Sequence, residues 1–269
     1  MTIPLPVEQS GALPASAGWQ GPALVTIGNA TLYLGDAYKL RPTLGFFDAD
    51  LMDPPYRFNN SGGGALRKAR GASDQIVSEG LDRGFDASII NPKLSGAVVV
   101  FCHNDQLGDL IPATCEDDAA HADTMMVGDL FARLQPRFHR VALCVWIKPN
   151  PTPHRNKHYL ADIEPYLHAW SRGFHPVGEH HDMHRWTSAS PLPSKTFGHP
   201  TVKPDDLMNK IVRNLAGTSI CDPFMGTGSS GVAAIRAGKR FAGIEHNPVH
   251  FATAVARITA AYEELSLAA

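Results

Sequence analysis

The residues of this chain best suited to do chemistry lie in three places: Asp53-Pro54-Pro55-Tyr56, the run from Asp222 to Gly231, and Glu245. The tetrapeptide follows the apolar run FFDADLM. Two consecutive prolines end a helix or a central strand, because each lacks an N–H and fixes φ. The break leaves a carboxylate acceptor at Asp53, a backbone carbonyl without a competing N–H at Pro54, and an aromatic face at Tyr56. Two rigidly held acceptors can take both hydrogens of an amino group on a heteroaromatic ring. They draw the nitrogen toward tetrahedral geometry and free a lone pair otherwise conjugated into the ring, while the aromatic face stacks on the ring itself. In isolation the same residues are compatible with a turn-capping carboxylate and an ordinary core aromatic.

The run DPFMGTGSSG places Gly226 and Gly228 after an expected strand, with Ser229, Ser230 and Gly231 opening a helix. Glycine lets the backbone come close to a ligand, and a helix N-terminus presents free N–H groups to it. No Lys-Ser/Thr pair follows, so this is not a phosphate loop of the nucleoside-triphosphatase kind. Glu245 lies 17 residues beyond Gly228, at the end of the next expected strand. An acid there holds the two hydroxyls of a ribose. Loop and acid together point to an adenosine-containing cofactor at the carboxyl edge of a sheet. A dinucleotide is also compatible, although the third glycine of its pattern is displaced.

The surrounding elements supply such an edge. ATLYLGDAYKL reads as a strand closed by a turn at Gly35-Asp36, and LGFFDADLM as a second strand running into the prolines. GAVVVFCHN and RVALCVWIKPNP are short apolar strands, and TMMVGDLFARLQPR between them has helical spacing. DIEPYLHAW fits a strand or a helical turn. KPDDLMNKIVRNL is a helix with proline in its first turn, followed by a strand, the glycine loop, a helix closed by Gly238, another strand and a long final helix. Alternating strands and helices imply a mostly parallel, twisted sheet with helices on both faces. Residues 1–23, rich in Pro, Gly, Ala and Ser, read as a flexible arm, and residues 24–269 as a single domain. Within it, residues 57–84 form a long glycine-rich, basic stretch, and residues 172–198 a polar, proline-broken, histidine-rich one expected to be irregular.

A net charge of −2 neither announces nor excludes a nucleic-acid partner, since one basic face suffices. The four cysteines, Cys102, Cys115, Cys144 and Cys221, are widely spaced and read as reduced thiols of a cytoplasmic protein. No apolar run reaches the length of a membrane span, and no basic-then-apolar leader opens the chain. His180 and His184 invite a zinc reading, but no cysteine ligand accompanies them and no metal is expected.

From these motifs the chain resembles the amino-methylating DNA methyltransferases in their β-class order, with the catalytic tetrapeptide ahead of the cofactor loop. LGDAYKL, FFDADLMDPPY, VVVFCHND, WIKPNPTPHR, DIEPYLHAW, HPTVKPDDLM, DPFMGTGSSG and GIEHNP carry the resemblance over most of residues 31–260. It implies a Rossmann-like fold with circularly permuted motif order, S-adenosyl-L-methionine as cofactor, and methyl transfer to the N6 of an adenine. In that family Asp at the first position mostly accompanies adenine-N6 methylation and Ser is commoner in cytosine-N4 enzymes, so adenine is favoured and cytosine-N4 stays the alternative. Asp53, Pro54, Pro55 and Tyr56 then match the catalytic motif. Phe224, Gly226, Thr227, Gly228 and Ser229, with Asp222, match the cofactor loop. Glu245 and Asn247 lie at the ribose end, Asp36 near the adenine, and His199, Pro200, Lys203 and Pro204 cover the methionine end, where Asp53 also reaches. Members often form homodimers.

The implied partner is double-stranded DNA, with a separate restriction endonuclease or none. An adenine must leave the stack to be reached. Arg57, Arg67, Lys68 and Arg70 follow the tetrapeptide closely, and residues 133–158 carry Arg133, Arg137, Arg140, Lys148, Arg155 and Lys157 without an acid, a candidate phosphate track. Residues 57–84 are expected to be a mobile DNA-contacting loop and residues 172–198 a short target-recognition segment; Asn150 lines the expected target-base side, and Arg185 is a candidate base reader. Rival readings are a catalytically silent DNA-binding module of the same fold and a nicotinamide-dependent oxidoreductase; the latter leaves the tetrapeptide and HPTVKP unexplained.

Overall fold

The computed structural model describes residues 21, 23–55, 84–102, 137–151, 159–160, 162–192 and 202–268. Among the described residues nine strands form one sheet: β1 (Leu24–Ile27), β2 (Ala30–Leu34), β3 (Phe47–Met52), β4 (Ser95–Phe101), β5 (Arg140–Ile147), β6 (Ile163–Trp170), β7 (Trp186–Ser188), β8 (Ser219–Asp222) and β9 (Arg240–Glu245). Their order across the sheet is β1-β2-β9-β8-β3-β4-β6-β5-β7. The run from β2 to β4 is parallel throughout. β6 then runs antiparallel to both β4 and β5, while β1 is antiparallel to β2 and β7 parallel to β5.

This order aligns the chemistry. The carboxyl ends of β2, β9, β8, β3 and β4 lie on one edge, and β6, being antiparallel, brings its amino end to that same edge. Chain order reverses between β8 and β3, the kind of switch point at which open α/β sheets bind ligands. Asp222 ends β8 and Asp53 follows β3, so both carboxylates stand at that point.

β4, whose SGAVVVF is buried along its whole length, is the sort of strand that only a sheet covered on both faces can hold. On one face lie α2 (Asp205–Asn214), α3 (Ser229–Arg236) and α4 (Pro248–Ala268). Leu207, Ile211, Val232, Phe251 and Ile258 pack there against Ala49, Leu51 and Val99. On the other face Met52, Val98, Val100 and Leu167 meet Ala37 of the short helix α1 (Ala37–Leu40), Ile89 and Phe138. The long helices among the described residues thus cover one face; the helix expected near 124–137 lies outside the described residues, apart from Arg137.

Arg41 and Asp50 are both completely buried, and the guanidinium meets the carboxylate through Nε and Nη2, with further bonds to the Gly45 and Leu94 carbonyls. The Asp48 carboxylate accepts from the Thr218 and Ser219 N–H groups at 2.8 and 2.9 Å, fixing the start of β8 beside β3. β1 and β7 were not expected from the sequence. The segment expected to be irregular in fact contains a 3₁₀ turn (His180–Met183) and the edge strand β7. Among the described residues no helix is long and apolar enough to cross a membrane.

Candidate active site

β8 stops at Asp222 because the chain turns into its glycine loop there. Asp222 accepts from the Phe224 N–H at 2.9 Å and from the Ser230 hydroxyl, so its buried carboxylate braces both ends of that loop. Burial pushes its pKa up to about 7. Gly226 and Gly228 have φ of +55° and +86°, in the left-handed region that glycine enters at little cost. A Cβ at Gly226 would meet no protein atom nearer than the Phe224 carbonyl oxygen at 4.0 Å, which leaves this backbone open to a ligand. Gly228 caps α3 and lies against α4, where a Cβ would come within 3.1 Å of Ala254.

β9 ends in Glu245, whose buried carboxylate accepts from the Gly226 N–H at 2.9 Å and the Asn247 N–H at 2.7 Å. Oε1 also lies 3.3 Å from His246 Nδ1, and of about four lone-pair sites on a carboxylate those left over can accept from hydroxyls. Asn247 caps α4 by accepting from the Val249 N–H at 2.9 Å. Asp36 caps α1 through the Tyr38 N–H at 2.9 Å, and the Gly35 N–H donates to the Glu245 carbonyl at 2.9 Å. Tyr38 and Phe85 approach the Phe224 ring edge-on at 6.0 and 6.2 Å.

These groups surround one cavity of about 500 Å³, within the usual range for a small-molecule site. Asp36, Asp53, Pro54, Pro55, Lys203, Asp222, Phe224, Gly226, Thr227, Ser229, Glu245 and Asn247 all line it. An acid-and-aromatic pocket beside an open glycine backbone fits an adenosine-containing cofactor. Pro204 is buried directly before α2 and Gly228 sits behind the loop, so both support the wall. Tyr56, His199 and Pro200 lie outside the described residues.

Asp53 has a partner that its motif does not reveal. The Lys203 ammonium forms an ion pair with Asp53 and a second one with Glu164 Oε1 at 3.0 Å. Glu164 Oε2 in turn accepts from Lys148 at 2.7 Å. Lys203 and Lys148 also lie 4.7 Å and 4.6 Å from the ring centres of Phe101 and Trp146. Burial alone would raise the pKa of Glu164, but Lys203 and Lys148 overcome it and hold the carboxyl down to about 2. Burial works to lower the Lys203 pKa, and Asp53 and Glu164 together turn the shift upward. Sequence reasoning placed Lys203 over a cofactor and gave Glu164 no role. The one available signal was an acid opening an otherwise apolar strand.

Strand geometry separates the described residues of the basic stretch. Arg140 opens β5 and Lys148 follows its other end, so the two lie at opposite edges of the sheet. Arg137 donates to the Ile90 carbonyl at 3.0 Å, and Lys148 is paired inward with Glu164. Of the candidate phosphate track, Arg137, Arg140 and Lys148 lie within the described residues, and Lys148 is turned to Glu164; Arg133 lies outside them. Asn150 is exposed beyond β5, and Arg185 is exposed directly before β7, its carbonyl accepting from the Val145 N–H at 2.8 Å. Arg57, Arg67, Lys68, Arg70, Arg155 and Lys157 lie outside the described residues. The His180 and His184 rings meet edge-on with centres 6.3 Å apart, and among the described residues no group of three His, Cys, Asp or Glu could hold a metal ion.

A family model described as DNA methylase matches residues 51–256, which span both the tetrapeptide and the glycine loop. The Type II methyltransferase M2.LlaDCHI of Lactococcus lactis subsp. cremoris is 26% identical over 86% of this chain and 89% of its own length. The Type II methyltransferase M2.DpnII of Streptococcus pneumoniae is 31% identical over 44% of this chain and 50% of its own. Among solved structures, M1.HpyAVI matches with a TM-score of 0.56 and 21% identity, covering 85% of this chain and 98% of that one. The cytosine-N4-specific PvuII DNA methyltransferase matches with a TM-score of 0.58 and 16% identity, covering 89% and 93%. At such identities the structural likeness is one of fold, the Rossmann-like α/β sheet described above.

Proposed function

This chain belongs to the family of DNA methylases that act on amino nitrogens, and on that premise we propose that it methylates the N6 amino group of adenine in double-stranded DNA. One observation carries the reading: Asp53 and Pro54 stand at the carboxyl end of β3, on the wall of a cavity that the glycine loop and Glu245 also line. Nothing in a plain binding module calls for an acid-and-carbonyl pair next to a cofactor-sized cavity. The choice of adenine rests on Asp as the first residue of the tetrapeptide.

S-adenosyl-L-methionine, when bound, supplies a methyl group on a positive sulfonium. The chain does the rest. Glu245 accepts the ribose hydroxyls, Phe224 offers its ring to the adenine, and the open backbone at Gly226 lets the cofactor lie close. The Asp53 carboxylate and the Pro54 carbonyl accept the two hydrogens of the target amine and turn its lone pair toward the methyl group. The same carboxylate stabilises positive charge as it develops on that nitrogen, an interaction stronger in the transition state than before it. The target base reaches this position by leaving the duplex stack. Acting as a homodimer, and either beside a separate endonuclease or alone, follows from the family resemblance; light scattering in solution tests the first.

The function is tested by incubating the protein with S-adenosyl-L-methionine and unmethylated DNA, digesting the DNA and identifying methylated nucleosides by mass spectrometry. N6-methyladenine that disappears with Asp53→Ala supports the proposal. N4-methylcytosine keeps the chemistry and replaces the base. No methylated nucleoside on DNA of varied sequence, with cofactor bound, overturns it in favour of a silent module.

A further inference from the structure

We propose that Glu164 is a positioning residue for methyl transfer, which shares the Lys203 ammonium with Asp53 and so keeps the Asp53 carboxylate available to the target amine. The inference deepens the proposed reaction and rests on it. It starts from topology: β6 runs against β4, so its second residue arrives at the edge where Asp53 leaves β3. Glu164 is 12% exposed and Lys203 5%, so neither charge is served mainly by water. Each carboxylate oxygen of Glu164 accepts from a different lysine, Oε1 from Lys203 and Oε2 from Lys148.

The alternating row Asp53, Lys203, Glu164, Lys148 is neutral as a whole, but its members do different work. A buried lysine facing one carboxylate alone would close on it and neutralise it. The amine would then meet an acceptor with part of its lone-pair capacity and most of its negative charge already used. Glu164 draws on the same ammonium from the other side, at 3.0 Å, and the Phe101 ring holds it at a third position. Lys148 offsets the charge that Glu164 would otherwise leave exposed to a dry interior. Lys203 can then fix the direction of Asp53 without cancelling its charge. Among the described residues two other ionisable groups face this row: Asp222, whose carboxyl burial and, to a lesser degree, the Asp53 charge push up, and Cys102, at the end of β4, whose thiol burial and the Glu164 and Asp53 charges push up to about 12, so it stays neutral.

The experiment compares wild type, Glu164→Gln and the double variant Glu164→Met/Lys148→Met. The double variant replaces the outer ion pair by packed side chains and leaves no bare charge, so it serves where the single variant does not fold. Three quantities are read: kcat with saturating DNA and S-adenosyl-L-methionine, the cofactor affinity by calorimetry, and the ¹⁵N ammonium signal of Lys203, assigned by its loss in Lys203→Arg. The expected result is a kcat lower by roughly 10–100-fold, the scale set by displacing a reacting group by about an ångström. Cofactor affinity stays within about twofold, and the Lys203 signal shifts. A folded variant with wild-type kcat, or a loss that falls wholly in cofactor affinity, overturns the proposal. If the wild type methylates no DNA, the proposed function fails, while an unmoved Lys203 signal still shows separately that Glu164 does not hold that ammonium.

Discussion

Arg257 of α4 donates from Nη1 to the Thr227 carbonyl at 2.9 Å and to the Thr227 hydroxyl at 3.1 Å, so the C-terminal helix holds the glycine loop from behind. The same nitrogen donates to the Ser229 hydroxyl at 3.2 Å. A loop with two left-handed glycines is costly to order, and a charged donor on its outer side removes much of that cost before any ligand arrives. Arg257→Met keeps the packing of the side-chain stem and deletes the donors. The expected outcome is a cofactor affinity weaker by about tenfold, the scale of a lost hydrogen bond to a charged group, with little change in kcat at saturation. Calorimetric titration with S-adenosyl-L-methionine measures it.

Gly226 and Gly228 make separable predictions. Both have positive φ, so alanine at either carries a backbone cost of about 1–2 kcal/mol. They differ in what the new Cβ meets. At Gly228 it presses on Ala254 at 3.1 Å and forces α4 outward. At Gly226 it stands against the cavity, in the space a ligand would fill. Gly228→Ala is therefore expected to lower the melting temperature more, and Gly226→Ala to weaken cofactor binding more. Thermal unfolding with and without cofactor separates the two, and equal effects in both assays would remove the distinction.

The division between what could be read along the chain and what could not has a physical reason. Asp53, Gly226 and Glu245 were legible because two sit at strand ends and Gly226 in the loop that follows one, and their neighbours in sequence carry the chemistry. Their meeting on one edge followed from alternating strands and helices. Glu164 was not legible, because its role depends on lysines from two other elements and on β6 running antiparallel, which residue periodicity left undecided. Lys148 was read as part of a basic run because charges were counted along the chain, whereas a strand of eight residues carries its two ends to opposite edges. β7 escaped notice because a three-residue edge strand has too little pattern to register. The tetrapeptide's Tyr56 and the residues expected over the methionine end, His199 and Pro200, fall outside the described residues.

The carboxyl of Glu164 also makes a prediction about acid. Its pKa in the folded chain is about 2, against an ordinary 4.5. A carboxyl held below its unfolded value stabilises the fold above that unfolded value and loses this contribution as pH falls from 4.5 through 2. The wild type should thus lose stability across that window. Glu164→Met/Lys148→Met should lack this part of the decline, since it has no carboxyl to protonate there. Urea unfolding midpoints at several pH values compare the two, and parallel curves would mean that Glu164 is not held down by its lysines.

The proposed part of the polar segment after β6 in DNA recognition can be tested through Asp182. Its side chain is 4% exposed and accepts from Arg213 Nε and Nη2, both at 2.8 Å, while its carbonyl accepts from Asn214 Nδ2 at 2.8 Å. Lys210 donates to the His184 and Trp186 carbonyls at 2.6 and 2.5 Å. All three donors lie on α2, so this one helix clamps the segment that presents exposed Arg185, while the chain just ahead of it delivers Lys203 to Asp53. Asp182→Ala removes the clamp's central acceptor and leaves the cavity intact. The expected outcome is a KM for DNA raised several-fold, with cofactor affinity and kcat near wild type, because ordering the segment must then occur on binding. Arg185→Ala should raise the same KM, and combining the two should add less than their sum if they act through one surface. Steady-state methylation over a range of DNA concentrations decides it, and a KM unmoved by either substitution would place DNA recognition elsewhere on the chain.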